Sequence, residues 1–157
     1  QPQYSMLWRV IESEVIPLCE KEGIGQIVWS PIAQGVLTGK YLPGQKAPAG
    51  SRATDKKGGA NMISKFMTEP ILTAAQKLLP IAKKVDLTPA QLAVAWVLQN
   101  SNVSSAIIGA TKPAQIKENV KATGIKLDKS IMDEIDAALS AVIEKDPTKT
   151  VSPKPRA

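Results

Sequence analysis

Gly25-Gln26-Ile27-Val28-Trp29 and Ser105-Ala106-Ile107-Ile108-Gly109 are the two stretches that decide the fold. Each is a short apolar run rich in β-branched residues and adjoining a glycine, which predicts a buried strand. The two runs lie about 80 residues apart and helical periodicity follows each of them, which predicts βα units and a parallel sheet. A third candidate strand ends near Tyr4, so the α/β sheet is either small or incomplete.

Apolar periodicity and capping residues predict helices over residues 8–22, 69–85, 88–100, 113–120 and 128–142. Thr88 and Gln91 form a predicted capping box, and Asp128 is the predicted cap of the last helix. Pro17 predicts a kink or a break in the first helix, and Pro80 predicts a bend in the second. Between strand and helix, residues 30–68 form a long connection rich in glycine and proline, which is typical of a functional or mobile loop. Residues 143–157 form a tail, to which we assign no secondary structure from residue 146 onward.

Composition limits the class of protein. The 157 residues are 43% hydrophobic and 22% charged, which is typical of one soluble globular domain. No apolar run approaches the length of a membrane helix, so we expect no membrane insertion. The single cysteine, Cys19, favours a reducing compartment and hence a cytoplasmic location. Histidine is absent, which excludes a Ser/His/Asp or Cys/His mechanism within this chain. Asp and Glu are not clustered at the spacing of metal ligands, so we predict no metal site.

The net charge of +6 is compatible with an anionic partner such as a nucleic acid. The lysines are scattered among acids, and only one phenylalanine, two tyrosines and three tryptophans are available for base stacking. We therefore expect no nucleic-acid partner. Residues 1–5 carry neither an initiator methionine nor a signal sequence, which leads us to expect that the chain is part of something longer.

Candidate binding residues follow the predicted strands, because functional loops of parallel α/β folds lie at the carboxyl ends of the strands. Trp29 and the following Ser-Pro-Ile-Ala-Gln-Gly segment offer a π surface, a hydroxyl and backbone amides to a flat heteroaromatic ring. The alternative is that Trp29 is only a core residue.

The Gly109-Ala-Thr-Lys-Pro113 turn joins a strand to a helix, and its amides, the Thr111 hydroxyl and the Lys112 ammonium would suit a phosphate. Gln115, Glu118 and Asn119 lie on one side of that helix and are able to face the same ligand. The alternatives are a purely structural turn and a solvated polar face.

Five ordered blocks of the sequence together resemble the aldo-keto reductases, and most closely the branch of voltage-gated potassium channel β subunits and their bacterial relatives. The blocks are residues 1–5 (QPQYS), 29–41 (WSPIAQGVLTGKY), 51–53 (SRA), 88–96 (TPAQLAVAW) and 108–119 (IGATKPAQIKEN). The resemblance extends from residue 1 to about residue 140.

The resemblance implies an α/β fold that is the C-terminal half of a (β/α)8 TIM barrel, with strands six to eight and their helices. Residues 1–157 would be part of a single barrel domain, with residues 30–68 as a cofactor-clamping loop. The family binds NADPH without a Rossmann domain and reduces aldehydes and ketones. Its catalytic Asp, Tyr, Lys and His lie ahead of Gln1, so the missing N-terminal half of the barrel would supply them and this chain alone would be inactive.

The resemblance also implies cofactor-binding roles. Gln1 matches the glutamine that holds the nicotinamide carboxamide, and Trp29 matches the aromatic residue that stacks on the ring. The pyrophosphate loop is matched by Ser30, Pro31, Ile32, Gln34 and Gly35, and the phosphate-binding and clamping positions by Lys40, Ser51 and Arg52. The adenosine end is matched by the Gly109 loop with Thr111 and Lys112, and by Gln115, Glu118 and Asn119, where Thr111 replaces a more usual serine.

Two functions remain open. The first is an NADPH-dependent reductase of small carbonyl substrates, for which this chain supplies most of the dinucleotide site. The second is a cofactor-sensing regulatory or binding subunit with little turnover, as channel β subunits are. A homo-oligomer is compatible with both functions.

Overall fold

The computed structural model describes residues 1–150, and the end of the predicted tail, residues 151–157, lies outside the described residues. The helices and strands of the described range are α1 Val15–Lys21, β1 Gln26–Trp29, α2 Gly59–Ile63, α3 Glu69–Gln76, α4 Leu78–Lys84, α5 Pro89–Val97, β2 Val103–Ile107, α6 Pro113–Val120 and α7 Lys129–Leu139. Short 3-10 segments add Ala33–Thr38, Arg52–Thr54, Ser64–Phe66 and Pro147–Lys149. Across residues 1–150, every helix is too short or too polar to cross a lipid bilayer.

The sheet is parallel, as predicted. β1 pairs with β2, and Val28 lies opposite Ala106 in the register. On the other side of β1, Trp29 forms an isolated parallel bridge with Gln3, in which the Tyr4 amide donates to the Trp29 carbonyl at 3.2 Å. Three chain segments therefore lie side by side, with β1 in the middle.

Helix α5 lies at the centre of the packing, since every residue from Gln91 to Val97 is buried. The predicted capping box is present at its start: the Gln91 amide donates to Thr88 Oγ1 at 3.2 Å, and the Thr88 amide donates to Gln91 Oε1 at 2.9 Å. α7 begins as predicted too, with Asp128 accepting from the Ile131 amide at 2.9 Å. Local capping chemistry thus fixes the starts of two helices.

The predicted helix over residues 8–22 is wrong in its first half, because residues 6–14 form turns and α1 begins only at Val15. The Arg9 amide donates to the Glu144 carbonyl, and the Glu144 amide donates to the Leu7 carbonyl, which commits this backbone to a distant partner. Pro17 neither kinks nor breaks α1, since it lies in the first turn, where a missing N–H costs no helical bond. The expectation of no secondary structure from residue 146 onward is wrong for Pro147–Lys149, which form a 3-10 segment just after the paired Glu144.

Other helix and strand boundaries differ less from the predicted ones. β2 starts two residues before the predicted run and ends at Ile107, which leaves Gly109 in the following loop. The helix predicted over 69–85 is divided at Lys77 into α3 and α4, with Pro80 in the first turn of α4. The long connection over residues 30–68 contains α2 and three of the 3-10 segments, so it is largely organised.

β1 is buried on one face only, and Val103 is the one buried residue of β2, so the prediction of buried strands holds for part of the sheet. Val28 is completely buried against the core. On the opposite face, the exposed fractions are 41% for Ile27, 39% for Trp29 and 46% for Ile107, and Trp29 pairs with Ile107 in the register. An apolar sheet face of this kind normally packs against further structure.

We predict that the isolated 157-residue chain self-associates through this exposed sheet face. Full burial of each such side chain contributes roughly 1.5–3 kcal/mol, so the Ile27→Ser/Ile107→Ser double variant should raise the dissociation constant at least about tenfold. Sedimentation velocity over a concentration series measures it. Val28→Ser is the matched control, because it changes the buried face and should lower thermal stability instead. A wild-type chain that remains monomeric at high concentration would contradict the prediction.

Candidate functional site

A cleft of about 840 Å³ lies where β1 and β2 end. Fifteen of the sixteen residues predicted to bind a cofactor line it: Trp29, Ser30, Pro31, Ile32, Gln34, Gly35, Lys40, Ser51, Arg52, Gly109, Thr111, Lys112, Gln115, Glu118 and Asn119. The exception is Gln1, which is exposed and is not among the lining residues. Parallel pairing explains this convergence, since it places the loops after both strands at one edge of the sheet.

The sequence prediction missed further lining residues, which are Thr38, Gly50, Met62, Thr88, Ala90, Ile107, Ile108, Ala110 and Ala114. Four of the nine, Gly50, Ile108, Ala110 and Ala114, are immediate neighbours of predicted residues. Thr88 and Ala90 differ, because they belong to the start of α5 and reach the cleft through packing between helices. Their capping signal predicted the helix start but carried no information about which loop it would face.

The loop after β1 holds an unusual backbone. Ser30, Ala33, Gln34 and Gly35 all have positive φ, at 58°, 46°, 57° and 100°. For residues other than glycine such a conformation costs about 1–3 kcal/mol and persists only where the surroundings enforce it. Ala33 and the two residues after Gly35 are completely buried, which anchors the loop. A strained loop on a rigid base, at the end of a strand, is a common property of ligand-binding sites.

Side-chain hydrogen bonds connect the two sides of the cleft. The Gln34 amide nitrogen donates to Ser30 Oγ, and Gln34 Oε1 accepts from Arg52 Nη1 at 2.7 Å. The other terminal nitrogen of Arg52 lies 4.0 Å from the position that a Cβ on Gly109 would occupy. Arg52 therefore extends from its own segment to the loops that follow both strands.

The lining is strongly cationic. Three lining residues, Lys40, Arg52 and Lys112, carry a positive charge. Among the lining residues of the described chain, only Glu118 carries a negative charge. Glu118 Oε1 forms an ion pair with Lys121 at 2.7 Å, which offsets its charge. Inside the same wall, Ser51 Oγ is buried and has no hydrogen-bond partner among the described residues. Buried hydroxyls are usually hydrogen-bonded, so this hydroxyl, together with the cations, suits an anionic ligand.

The turn after β2 is already hydrogen-bonded to its own helix. Gln115 Oε1 accepts from the Thr111 amide at 2.8 Å and from the Lys112 amide at 3.1 Å. A phosphate here would therefore meet the Lys112 ammonium, and it would compete with Gln115 for the two amides and for the Thr111 hydroxyl, which donates to Gln115 Oε1 at 3.3 Å. The amides of this turn thus already converge on one acceptor, Gln115 Oε1, which occupies the position that an anionic oxygen would take.

Trp29 is not simply a core residue. Its side chain lines the cleft, and more than a third of its surface is exposed. The indole therefore offers a flat surface on which an aromatic ring can stack. A stacking surface, three cations, a hydroxyl without a partner among residues 1–150 and a cleft of this volume together fit a phosphorylated ligand with aromatic rings.

Residues 1–140 match the model of the aldo/keto reductase family. The chain belongs to this family. A probable voltage-gated potassium channel subunit beta of Arabidopsis thaliana is 40% identical over 144 residues, covering 90% of this chain and 43% of the plant protein. The NADH-specific methylglyoxal reductase of Escherichia coli is 37% identical over 145 residues, covering 88% of this chain and 42% of the bacterial protein.

The solved structure of a glycerol dehydrogenase from Gluconobacter oxydans superimposes with a TM-score of 0.71 at 26% identity, covering 99% of this chain and 45% of that one. The α/β fold described here is thus part of the TIM barrel of aldo-keto reductases. The chain spans less than half the length of the relatives it matches.

We predict that Gly35→Ala damages the cleft as well as the fold. A side chain at φ 100° strains the loop, and the new Cβ would contact both Cε and Nζ of Lys40 at 3.4 Å, so we expect a shift of the loop to move the ammonium. The affinity for ADP, measured by calorimetry, should fall about fivefold, which corresponds to about 1 kcal/mol. Gly44→Ala is the matched control, since Gly44 also has positive φ, at 67°, but its Cβ would contact nothing within 4 Å. Equal loss of ADP affinity in both variants would contradict the role of Lys40.

Proposed function

We propose that this chain forms most of the dinucleotide site of an NADPH-dependent reductase of aldehydes or ketones, working in the cytoplasm. Aldo-keto reductases are oxidoreductases that use NADH or NADPH, so the coarse class follows from the family. The observation that carries the proposal is the convergence of fifteen predicted cofactor-binding residues on one cationic cleft. Bound NADPH would supply the hydride for the carbonyl carbon.

The roles of this chain's residues are binding and orientation. Trp29 would present its exposed indole to the nicotinamide, with Gln1 at the carboxamide. Lys40, Ser51 and Arg52 would neutralise and hold the diphosphate, next to the loop of Ser30, Pro31, Ile32, Gln34 and Gly35. Gly109, Thr111, Lys112 and Gln115 would hold the 2′-phosphate, while Glu118 and Asn119 would hold the adenosine.

Proton transfer would come from elsewhere in the barrel. The sequence contains no histidine, and none of the family's catalytic Asp, Tyr, Lys and His can be placed on it. We therefore assign catalysis to an N-terminal complementary part of the same barrel domain, which would also cover the apolar face of Ile27, Trp29 and Ile107. On this proposal the 157-residue chain binds nucleotide but does not turn over a carbonyl substrate.

A second function is that of a cofactor-sensing regulatory subunit, and the similarity of this chain to channel subunits favours it. The probable voltage-gated potassium channel subunits beta of Arabidopsis thaliana and of Oryza sativa subsp. japonica are 40% and 41% identical to this chain. In that case nucleotide occupancy would alter a partner protein, and turnover would be very slow. Homo-oligomers would suit either function.

Turnover by the complete protein should separate the two functions. A reductase should oxidise NADPH with small aldehydes at about 1–1,000 per second, the usual range for enzymes. Absorbance at the NADPH band over a panel of aldehydes and ketones measures this rate. Turnover several orders of magnitude slower with every carbonyl, despite tight NADPH binding, would favour the regulatory subunit. The absence of NADPH binding would contradict both functions.

Nucleotide choice should depend on Lys112. A lysine beside the 2′-phosphate adds charge-assisted hydrogen bonds that NADH cannot form, and such bonds contribute roughly 1.5–3 kcal/mol. Lys112→Ala in the complete protein should therefore weaken NADPH binding at least about tenfold and NADH binding hardly at all. Fluorescence titration of both nucleotides measures the difference. Lys117→Ala is the control, because Lys117 is exposed on the same helix but does not line the cleft. Equal loss for both nucleotides would refute the assignment.

A further inference from the structure

Gln91 makes more hydrogen bonds than a helix cap requires. Its side chain is buried, with an exposed fraction of 5%, and its Oε1 completes the capping box of α5. Its Nε2 donates to the Glu118 carbonyl at 2.9 Å and lies 3.4 Å from Glu118 Oε2. A glutamate caps a helix as well as a glutamine does, but only the amide has a donor for the second contact.

That second contact joins two walls of the cleft. Thr88 and Ala90 line the cleft from the start of α5, and Glu118 and Asn119 line the cleft from α6. Gln91 is hydrogen-bonded to one residue of each wall, Thr88 and Glu118, while it is itself absent from the cleft lining.

Helix α6 depends on few other contacts. None of its eight residues is buried, and Ile116 and Val120 are both more than 60% exposed. A second cavity, of about 310 Å³, lies between α6, β2 and α5, and Val94, Ile116 and Val120 are among its lining residues. Close packing therefore does not fix the distance between α5 and α6 along this side.

We propose that Gln91 is a positioning residue, which sets the separation of α5 and α6 and thereby the width of the cleft at its adenosine end. The inference rests on the proposed dinucleotide site, and it adds a residue that acts through Glu118 rather than on the ligand. Without the Nε2 donor, the Glu118 carbonyl would keep only the Lys121 amide, at 3.3 Å, and α6 would shift over the cavity beneath it.

The test compares three variants of the complete protein. Gln91→Glu keeps the capping acceptor and removes the donor, and Gln91→Met removes the donor without adding a charge. Gln99→Glu is the matched control: Gln99 donates to the Ile125 carbonyl at 3.0 Å and accepts from the Leu127 amide at 3.1 Å, but it does not line the cleft. Each variant is titrated with adenosine 2′,5′-bisphosphate and with nicotinamide mononucleotide.

Both Gln91 variants should weaken adenosine 2′,5′-bisphosphate binding about tenfold and leave nicotinamide mononucleotide binding unchanged. Gln99→Glu should lower the melting temperature without changing either affinity. Uniform loss for both ligands, or wild-type affinity in both Gln91 variants, would overturn the positioning role.

Amide hydrogen exchange of residues 113–120 without nucleotide gives a second readout. Exchange should accelerate in both Gln91 variants and stay near wild type in Gln99→Glu, and unchanged exchange in the Gln91 variants would again overturn the inference. If wild-type protein binds neither nucleotide fragment, the proposed function fails by itself, and the exchange result alone decides whether Gln91 positions α6.

Discussion

The parallel pairing of β1 and β2 is the constraint on which the rest of the structure depends. With Val28 opposite Ala106 and Trp29 opposite Ile107, both strands end at the same edge of the sheet. A shift by one residue would reverse the two faces of a strand and carry Trp29 into the core. The register therefore decides at once which face packs on α5 and which residues surround the cleft.

Local chemistry made much of the fold predictable from the sequence. The Thr88 and Asp128 caps located two helix starts, and the glycine-rich turns after both strands located the cleft. The predictions failed where a distant partner decides the structure. Leu7 and Arg9 lie at the start of a segment with helical periodicity, but their backbone groups form hydrogen bonds with Glu144. A pattern within the segment cannot predict a partner so distant in the sequence.

The site shows the same division between local and distant information. Residue types and order identified fifteen lining residues, since those loops must follow their strands. Sequence reasoning interpreted Gln91 as a cap alone, because its bond to Glu118 depends on how α5 and α6 pack. The apolar runs alone predicted buried strands, whereas the resemblance to half of a barrel leads us to expect one uncovered face, on which Ile27, Trp29 and Ile107 lie exposed.

The bridge between Trp8 and Glu144 has a consequence for the order in which the protein acquires its structure. It joins points separated by almost the whole described chain, so its formation must overcome a large loop-closure entropy, and contacts of this kind slow folding. During synthesis, Leu7 and Arg9 leave the ribosome long before Glu144 exists, and their backbone groups wait without their native partners. Helices α3 to α5 close their hydrogen bonds within their own turns, so helical turns are able to start there while the opening segment is still unpaired, and the packing of α3 and α4 is completed only when α7 arrives.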